Sequence, residues 1–168
     1  MTKSTERSGL VWLWLSLLLF AVDFGTKALV VENMRLYESI ELLPFFNFTY
    51  MHNYGAAFSF LSEAGGWQRW FLSAIAVAIS GLLVYWLKKL PAKNWLLCSA
   101  YALVLSGALG NLYDRVTLGY VVDFLHFYYQ DWHYPAFNVA DMAIVGGAGL
   151  LLFDAIFGDN VDTQEKKA

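Results

Sequence analysis

The sequence predicts an all-α membrane protein of four transmembrane helices in a single domain spanning residues 1–168. Three observations carry that expectation. The composition is 58% hydrophobic and only 15% charged, too apolar for an ordinary soluble domain of this length. Four apolar stretches are each long enough to cross a hydrocarbon core, which takes about 20 helical residues. Lysine and arginine alternate between rich and poor connections, as they do in multi-pass proteins.

The spans are placed at residues 10–31, 67–87, 95–113 and 138–157. Lys3 and Arg7 precede the first, which resembles a secretory signal, but no small-x-small cleavage site follows and Asp23 and Lys27 interrupt the run. It is read as a retained helix. Lys88, Lys89 and Lys93 fill the second connection and Lys166 and Lys167 end the chain, whereas the other two connections carry only Arg35, Arg69 and Arg115 near their edges. Both termini and the middle loop are therefore expected in the cytoplasm. Trp67, Trp70, Trp86 and Trp95 fall at span ends, as an aromatic belt would place them.

The two outer connections, about residues 32–66 and 115–137, are more than linkers. Residues 44–51 begin at Pro44 and are dense in aromatics, which predicts a short strand. Residues 53–61 are too short and apolar for a span and predict a turn leading into an interfacial helix on the outer leaflet. His52, His126 and His133 lie in these connections with no i,i+3 or i,i+4 pair, so no helical zinc motif or axial haem ligation is indicated. Cys98 reads as a small core residue. Positive charges gather at span ends rather than along a face, which argues against nucleic acid as a partner.

The chemistry rests with polar residues beside the spans. Asp123 lies in Val121-Val122-Asp123-Phe124 and Asp141 in Asn138-Val139-Ala140-Asp141. Ionised carboxylates in apolar surroundings are costly unless paired or functional, and two together suggest a dyad sharing one proton to activate water. The plainer alternatives are a solvated loop acid at Asp123 and a helix N-terminal acid at Asp141. Gly107, Asn111 and Asp114 share a helical face, with Arg115 one turn beyond Asn111, and Asn138 is one turn from Asp141. Asp114 and Arg115 also admit a role as interfacial anchors, with Arg115 snorkelling to headgroups. Asp23 and Lys27, acid first at i,i+4, read as a structural ion pair. Ser106 with Gly110, and Gly146, Gly147 and Gly149, would let helices approach closely. Intramembrane acids also mark ion pathways, so a small transporter or a non-catalytic assembly subunit remains open at this level, although no internal repeat is visible and both acids lie near one face.

Five ordered blocks then carry a resemblance: Asp23 and Lys27 in the first span, Asn53-Tyr54-Gly55-Ala56-Ala57-Phe58, Gly107-Ala108-Leu109-Gly110-Asn111-Leu112-Tyr113-Asp114-Arg115, Val121-Val122-Asp123-Phe124, and Phe137-Asn138-Val139-Ala140-Asp141. In these the chain closely resembles the bacterial lipoprotein signal peptidases, the type II signal peptidases. The resemblance implies a four-helix bundle of the bacterial inner membrane with a small extracytoplasmic β-cradle and an interfacial helix. It implies Asp123 and Asp141 as an aspartic dyad near the extracytoplasmic face, with Asn53, Asn111, Arg115 and Asn138 lining the site, and no metal or organic cofactor. The implied partners are membrane lipids and prolipoproteins cleaved before a diacylglyceryl-modified cysteine. Two positions depart from the family pattern: Phe24, where glutamine commonly follows the first-span aspartate, and Ser106-Gly107, where a glycine pair is common.

The charge bias sets a test of orientation: reporters fused after Leu90 will be cytoplasmic and those after Gln130 extracytoplasmic. A cytoplasmic reporter after Gln130 would place Asp123 on the wrong side of the membrane.

Overall fold

The computed structural model describes residues 7–55 and 66–158. A single 3-10 turn, Gly9–Trp12, leads into α1 (Leu13–Asn33). Strands β1 (Ser39–Leu43) and β2 (Phe46–Asn53) follow, then α2 (Trp67–Lys89) and α3 (Trp95–Thr117). Strands β3 (Val121–Tyr129) and β4 (Trp132–His133) precede α4 (Val139–Phe157). Four helices are long and apolar enough to cross a membrane, the first counted from Gly9 through Asn33.

The helices turn large apolar side chains outward and several polar ones inward, which suits a lipid environment. Leu17, Val77, Val145 and Leu152 are exposed on the helices, whereas Asp23, Lys27, Asn111 and Asp114 are buried. Helix α3 packs against each of the other three. Its buried face runs through Ala100, Ala102, Ser106, Gly107, Ala108 and Gly110, small residues that let neighbouring backbones come close. A β-carbon on Gly107 would collide with the carbonyl oxygen of Ala140, and one on Gly147 would lie 2.6 Å from Val104 Cγ2 and 2.7 Å from the Ala100 carbonyl. Gly146 and Gly149 face open space instead, so of the three glycines expected to thin the fourth span only Gly147 does so.

The helices overlie the expected spans, and α1 and α2 each end two residues later than expected, at Asn33 and Lys89. Helix α3 runs four residues past Tyr113 and takes Asp114 and Arg115 into its last turns. Helix α4 starts at Val139, with Asn138 as its N-cap. Trp67, Trp70, Trp86 and Trp95 are exposed near helix ends. At the end of the bundle opposite the sheet, Gly9 N donates to Leu90 O at 2.8 Å and Ala92 N to Arg7 O at 2.8 Å, so the N-terminal segment lies beside the second connection. Cys98 is fully buried there.

The outer connections form one antiparallel sheet in the order β1-β2-β3-β4. The expected strand over residues 44–51 is β2, shifted to Phe46–Asn53 because Pro44 and Phe45 make the turn from β1. The residues around Asp123, read from sequence only as a connection, are strand β3, and its aromatic and β-branched side chains suit a half-buried pleated surface. Val122 and Phe124 on one face of β3 pack with Val30 of α1 and Tyr50 of β2. Asp123, pointing the other way, is turned toward Asn53 and the start of α4. Phe48 opposes Leu125 but Met51 opposes Asp123, so β2 bulges beside that aspartate. Residues 56–61 of the expected interfacial helix lie outside the described residues.

The close approach of α3 and α4 makes Gly147→Ala overpack the interface at a cost of about 1–3 kcal/mol, while Gly146→Ala will be nearly neutral. Equilibrium unfolding in mixed micelles measures both, and equal effects would contradict the packing described.

Candidate active site

Three polar groups at the sheet end of the bundle are built from five elements. At the base, the Lys27 ammonium lies 2.8 Å from Asp23 Oδ2 and 2.9 Å from Asp114 Oδ2, with all three side chains almost wholly buried. The i,i+4 pair expected within α1 is present, but it is half of a triad whose other acid comes from α3. This excludes an interfacial role for Asp114, which the helix carries inward rather than to headgroup level.

Each acid of the triad also holds a backbone amide. Asp23 Oδ1 accepts from Ala140 N at 2.8 Å, and Asp114 Oδ2 accepts from Val122 N at 3.1 Å. Ala140 directly precedes Asp141, and Val122 directly precedes Asp123. One lysine thus bridges the two carboxylates that fix the backbone at both candidate aspartates. A main-chain donor has no side-chain signature, so these two amides leave no mark in the sequence beyond the adjacency of Val122 and Ala140 to aspartates.

Above the triad sit three asparagines. Lys27 donates to Asn111 Oδ1 at 3.3 Å, and Asn111 Nδ2 donates to Asp141 Oδ1 at 2.8 Å. Asn138 is completely buried and reaches both aspartates: its Nδ2 donates to Asp123 Oδ1 at 2.7 Å, its backbone N to Asp141 Oδ2 at 3.2 Å, and its Oδ1 accepts from Asp141 N at 3.0 Å. The last two bonds are a capping box at the start of α4. Asn53, the last residue of β2, donates to Asp123 Oδ2 at 2.9 Å.

Arg115 closes the side of the site. Its Nη2 donates to Gly55 O at 2.8 Å and its Nη1 to Asn111 O at 3.3 Å, while Asn53 Oδ1 accepts from Gly55 N at 3.0 Å. The guanidinium is therefore engaged within the protein rather than snorkelling, and it ties the segment after β2 to α3. All nine residues singled out in the sequence, Asp23, Lys27, Asn53, Asn111, Asp114, Arg115, Asp123, Asn138 and Asp141, join in this one bonded network.

Asp123 is 3% exposed, which rules out the solvated loop acid. Burial, and next the nearby charge of Asp141, push its pKa up to about 7 against bonds from Asn53 and Asn138 that favour the charged form. Asp141 does occupy a helix N-terminus, as the plainer reading had it, but there it is also bonded into the group that holds Asp123. Phe24 is half-exposed on the outside of α1 and meets the Tyr113 ring edge-on at 5.3 Å, so that departure does not reach the network. Ser106 is buried within the α3 packing face.

A multi-pass membrane protein with two aspartates joined through buried amides is equipped for acid–base hydrolysis. The sequence profile of signal peptidase (SPase) II matches residues 15–157, and the chain belongs to that family of aspartic peptidases. It is 68% identical over 168 residues, covering both chains in full, to a lipoprotein signal peptidase of Pseudoalteromonas translucida. It is 58% identical over 156 residues to one of Shewanella woodyi, covering 93% of this chain and 89% of the relative. A bacterial membrane enzyme solved by the in meso method at 2.3 Å superposes with a TM-score of 0.80 at 31% identity, over 90% of each chain.

Replacing Lys27 with Met keeps the bulk but leaves two buried carboxylates without their cation. Breaking a buried ion pair in this way costs about 3–5 kcal/mol, so Lys27→Met will lower the thermal unfolding midpoint sharply. A variant as stable as the parent protein would show that the triad is not what holds α1 to α3.

Proposed function

We propose that Asp123 and Asp141 are the catalytic pair with which this signal peptidase removes signal peptides from prolipoproteins, cleaving before a diacylglyceryl-modified cysteine. The observation that carries this reading is Asn138, one buried asparagine bonded to both carboxylates. It holds the two acids in one frame, so they act as a pair.

Asp123, with its raised pKa, carries the proton of the pair below pH about 7. In the reaction Asp141 takes a proton from water while the resulting hydroxide attacks the scissile carbonyl carbon, and Asp123 hydrogen-bonds the carbonyl oxygen as negative charge develops there. Collapse of the tetrahedral intermediate breaks the C–N bond, and the proton taken from water passes from Asp141 to the leaving amine, so the pair again holds its single proton. Asn53 and Asn138 orient Asp123, Asn111 orients Asp141, and Arg115 holds Gly55 at the edge of the site.

The site lies at the extracytoplasmic face of the bacterial inner membrane in this reading, with both termini cytoplasmic, as the lysine and arginine bias supports. The substrate's acyl chains stay in the bilayer and bring the cleavage site to that surface, each buried methylene contributing about 0.8 kcal/mol.

Asp123→Asn and Asp141→Asn, made separately, will each reduce cleavage of a lipidated precursor by about 10²–10⁴-fold without lowering abundance in the membrane. Asp114→Asn will lose activity only in step with stability. The same assay on an unlipidated precursor will show poor turnover; equal rates on the two precursors would remove the lipid from the recognition, and substantial turnover by either dyad variant would remove the mechanism.

The raised pKa sets the sign of the pH dependence. Asp123 loses its proton as pH rises through about 7, leaving the carbonyl oxygen without its acid, so kcat/KM will fall on the alkaline side with a midpoint near that value. An activity that keeps rising to pH 9 would contradict the assignment of the proton to Asp123.

A further inference from the structure

Two of the three histidines that sequence spacing leaves unpaired, His126 and His133, are brought together by the sheet. Tyr128 opposes His133 across the β3–β4 hairpin, whose two-residue turn is made by Gln130, with a φ of 52°, and Asp131. His126 and His133 stack with ring centroids 5.1 Å apart, and His126 Nε2 lies 3.1 Å from His133 Nδ1. On the far side, His126 Nδ1 lies 3.2 Å from Thr49 Oγ1, which lies 2.8 Å from Ser39 Oγ. This polar line crosses all four strands.

We propose that His126 and His133 form a chelating site for a divalent transition-metal ion with a preference for imidazole, such as Zn²⁺ or Cu²⁺. Two nitrogens bound to one tetrahedral zinc at about 2.0–2.1 Å stand roughly 3.3 Å apart. The observed 3.1 Å separation already matches that bite, so a metal ion can take the place of the proton shared by the rings with little movement of either. Thr49 supplies the outer support such ligands use: when His126 donates its Nδ1–H to the hydroxyl, the Nε2 lone pair is left facing His133. His133 is exposed, so water can fill the remaining positions.

The site is separate from the catalytic pair. His126 is three residues from Asp123 on a regular strand and so projects from the opposite face. A bound ion would fasten the short strand β4 to β3, stabilising the hairpin without entering the reaction.

The test uses the full-length protein without a polyhistidine tag, in detergent, with Zn²⁺ measured by equilibrium dialysis. The parent protein is expected to bind one equivalent, and His126→Gln and His133→Gln to lose it. Thr49→Val, which removes only the outer support, is expected to bind about tenfold more weakly, and His52→Gln to bind as the parent does. Cleavage activity of His133→Gln should be unchanged. Cu²⁺ bound to the parent protein should show two coordinated nitrogens by electron paramagnetic resonance, a readout that needs no variant. No stoichiometric uptake of Zn²⁺ by the parent, full retention by both histidine variants, or fewer than two nitrogens on copper would each overturn the proposal.

Discussion

The arrangement depends on a lysine held between two acids inside the bundle. Removing three charges from water costs several kcal/mol per ion, and their attraction offsets this only when geometry is tight and remaining lone pairs are satisfied. Lys27 meets Asp23 and Asp114 at hydrogen-bonding distance and gives its third contact to Asn111. The acids spend their other bonding capacity on the amides of Ala140 and Val122. A cluster that would otherwise be a net expense thereby joins α1, α3, β3 and the start of α4 at one point. A rotation of α1 about its axis would separate the charges, so the register of the whole sheet end is specified.

Desolvation recurs one layer higher with a different outcome. Asp123 has no cation in bonding contact, only amide donors from Asn53 and Asn138, and its neighbour Asp141 is another acid. Neutral donors compensate a buried negative charge less than an ammonium does. The lower layer therefore sets each acid against a cation, whereas in the upper layer Asp123 is held by neutral donors, which favours its keeping a proton. The two layers share Asn111, whose carbonyl faces Lys27 and whose amide faces Asp141.

Much of this was legible in the residues. The spans follow from length and apolarity, and the Asp23–Lys27 pair from helical spacing, because both signals are local. The partnership of Lys27 with Asp114 was not legible, since it joins residues far apart in the chain, and the position of Asp114 near a span end suggested the interface. The end of α3 lies later than polarity suggests, because polar residues begin at Asp114 but are satisfied inside the protein while the helix continues. Strand β3 was missed because Val121 through Tyr129 carries apolar residues on both faces, as a strand between a helix bundle and its own sheet core does, and so lacks the alternation that marks a half-exposed strand. The nine residues of the network were each picked out by polarity or by resemblance; only the fold could show that they touch.

The chain between the two aspartates is tied off before it reaches the hairpin. Phe124 N and Leu125 N both donate to Phe137 O, and Phe137 N donates back to Leu125 O. The excursion through β4 therefore leaves and returns at a closed neck, immediately beyond Asp123 and just short of Asn138. Loop-closure entropy grows only slowly with length, and the ends here are fixed by bonds that do not involve the excursion itself. Insertions, deletions or an inserted epitope between Tyr129 and Trp132 can thus be accommodated without moving either carboxylate, which makes the hairpin the natural place for lineages to vary and for a probe to be attached.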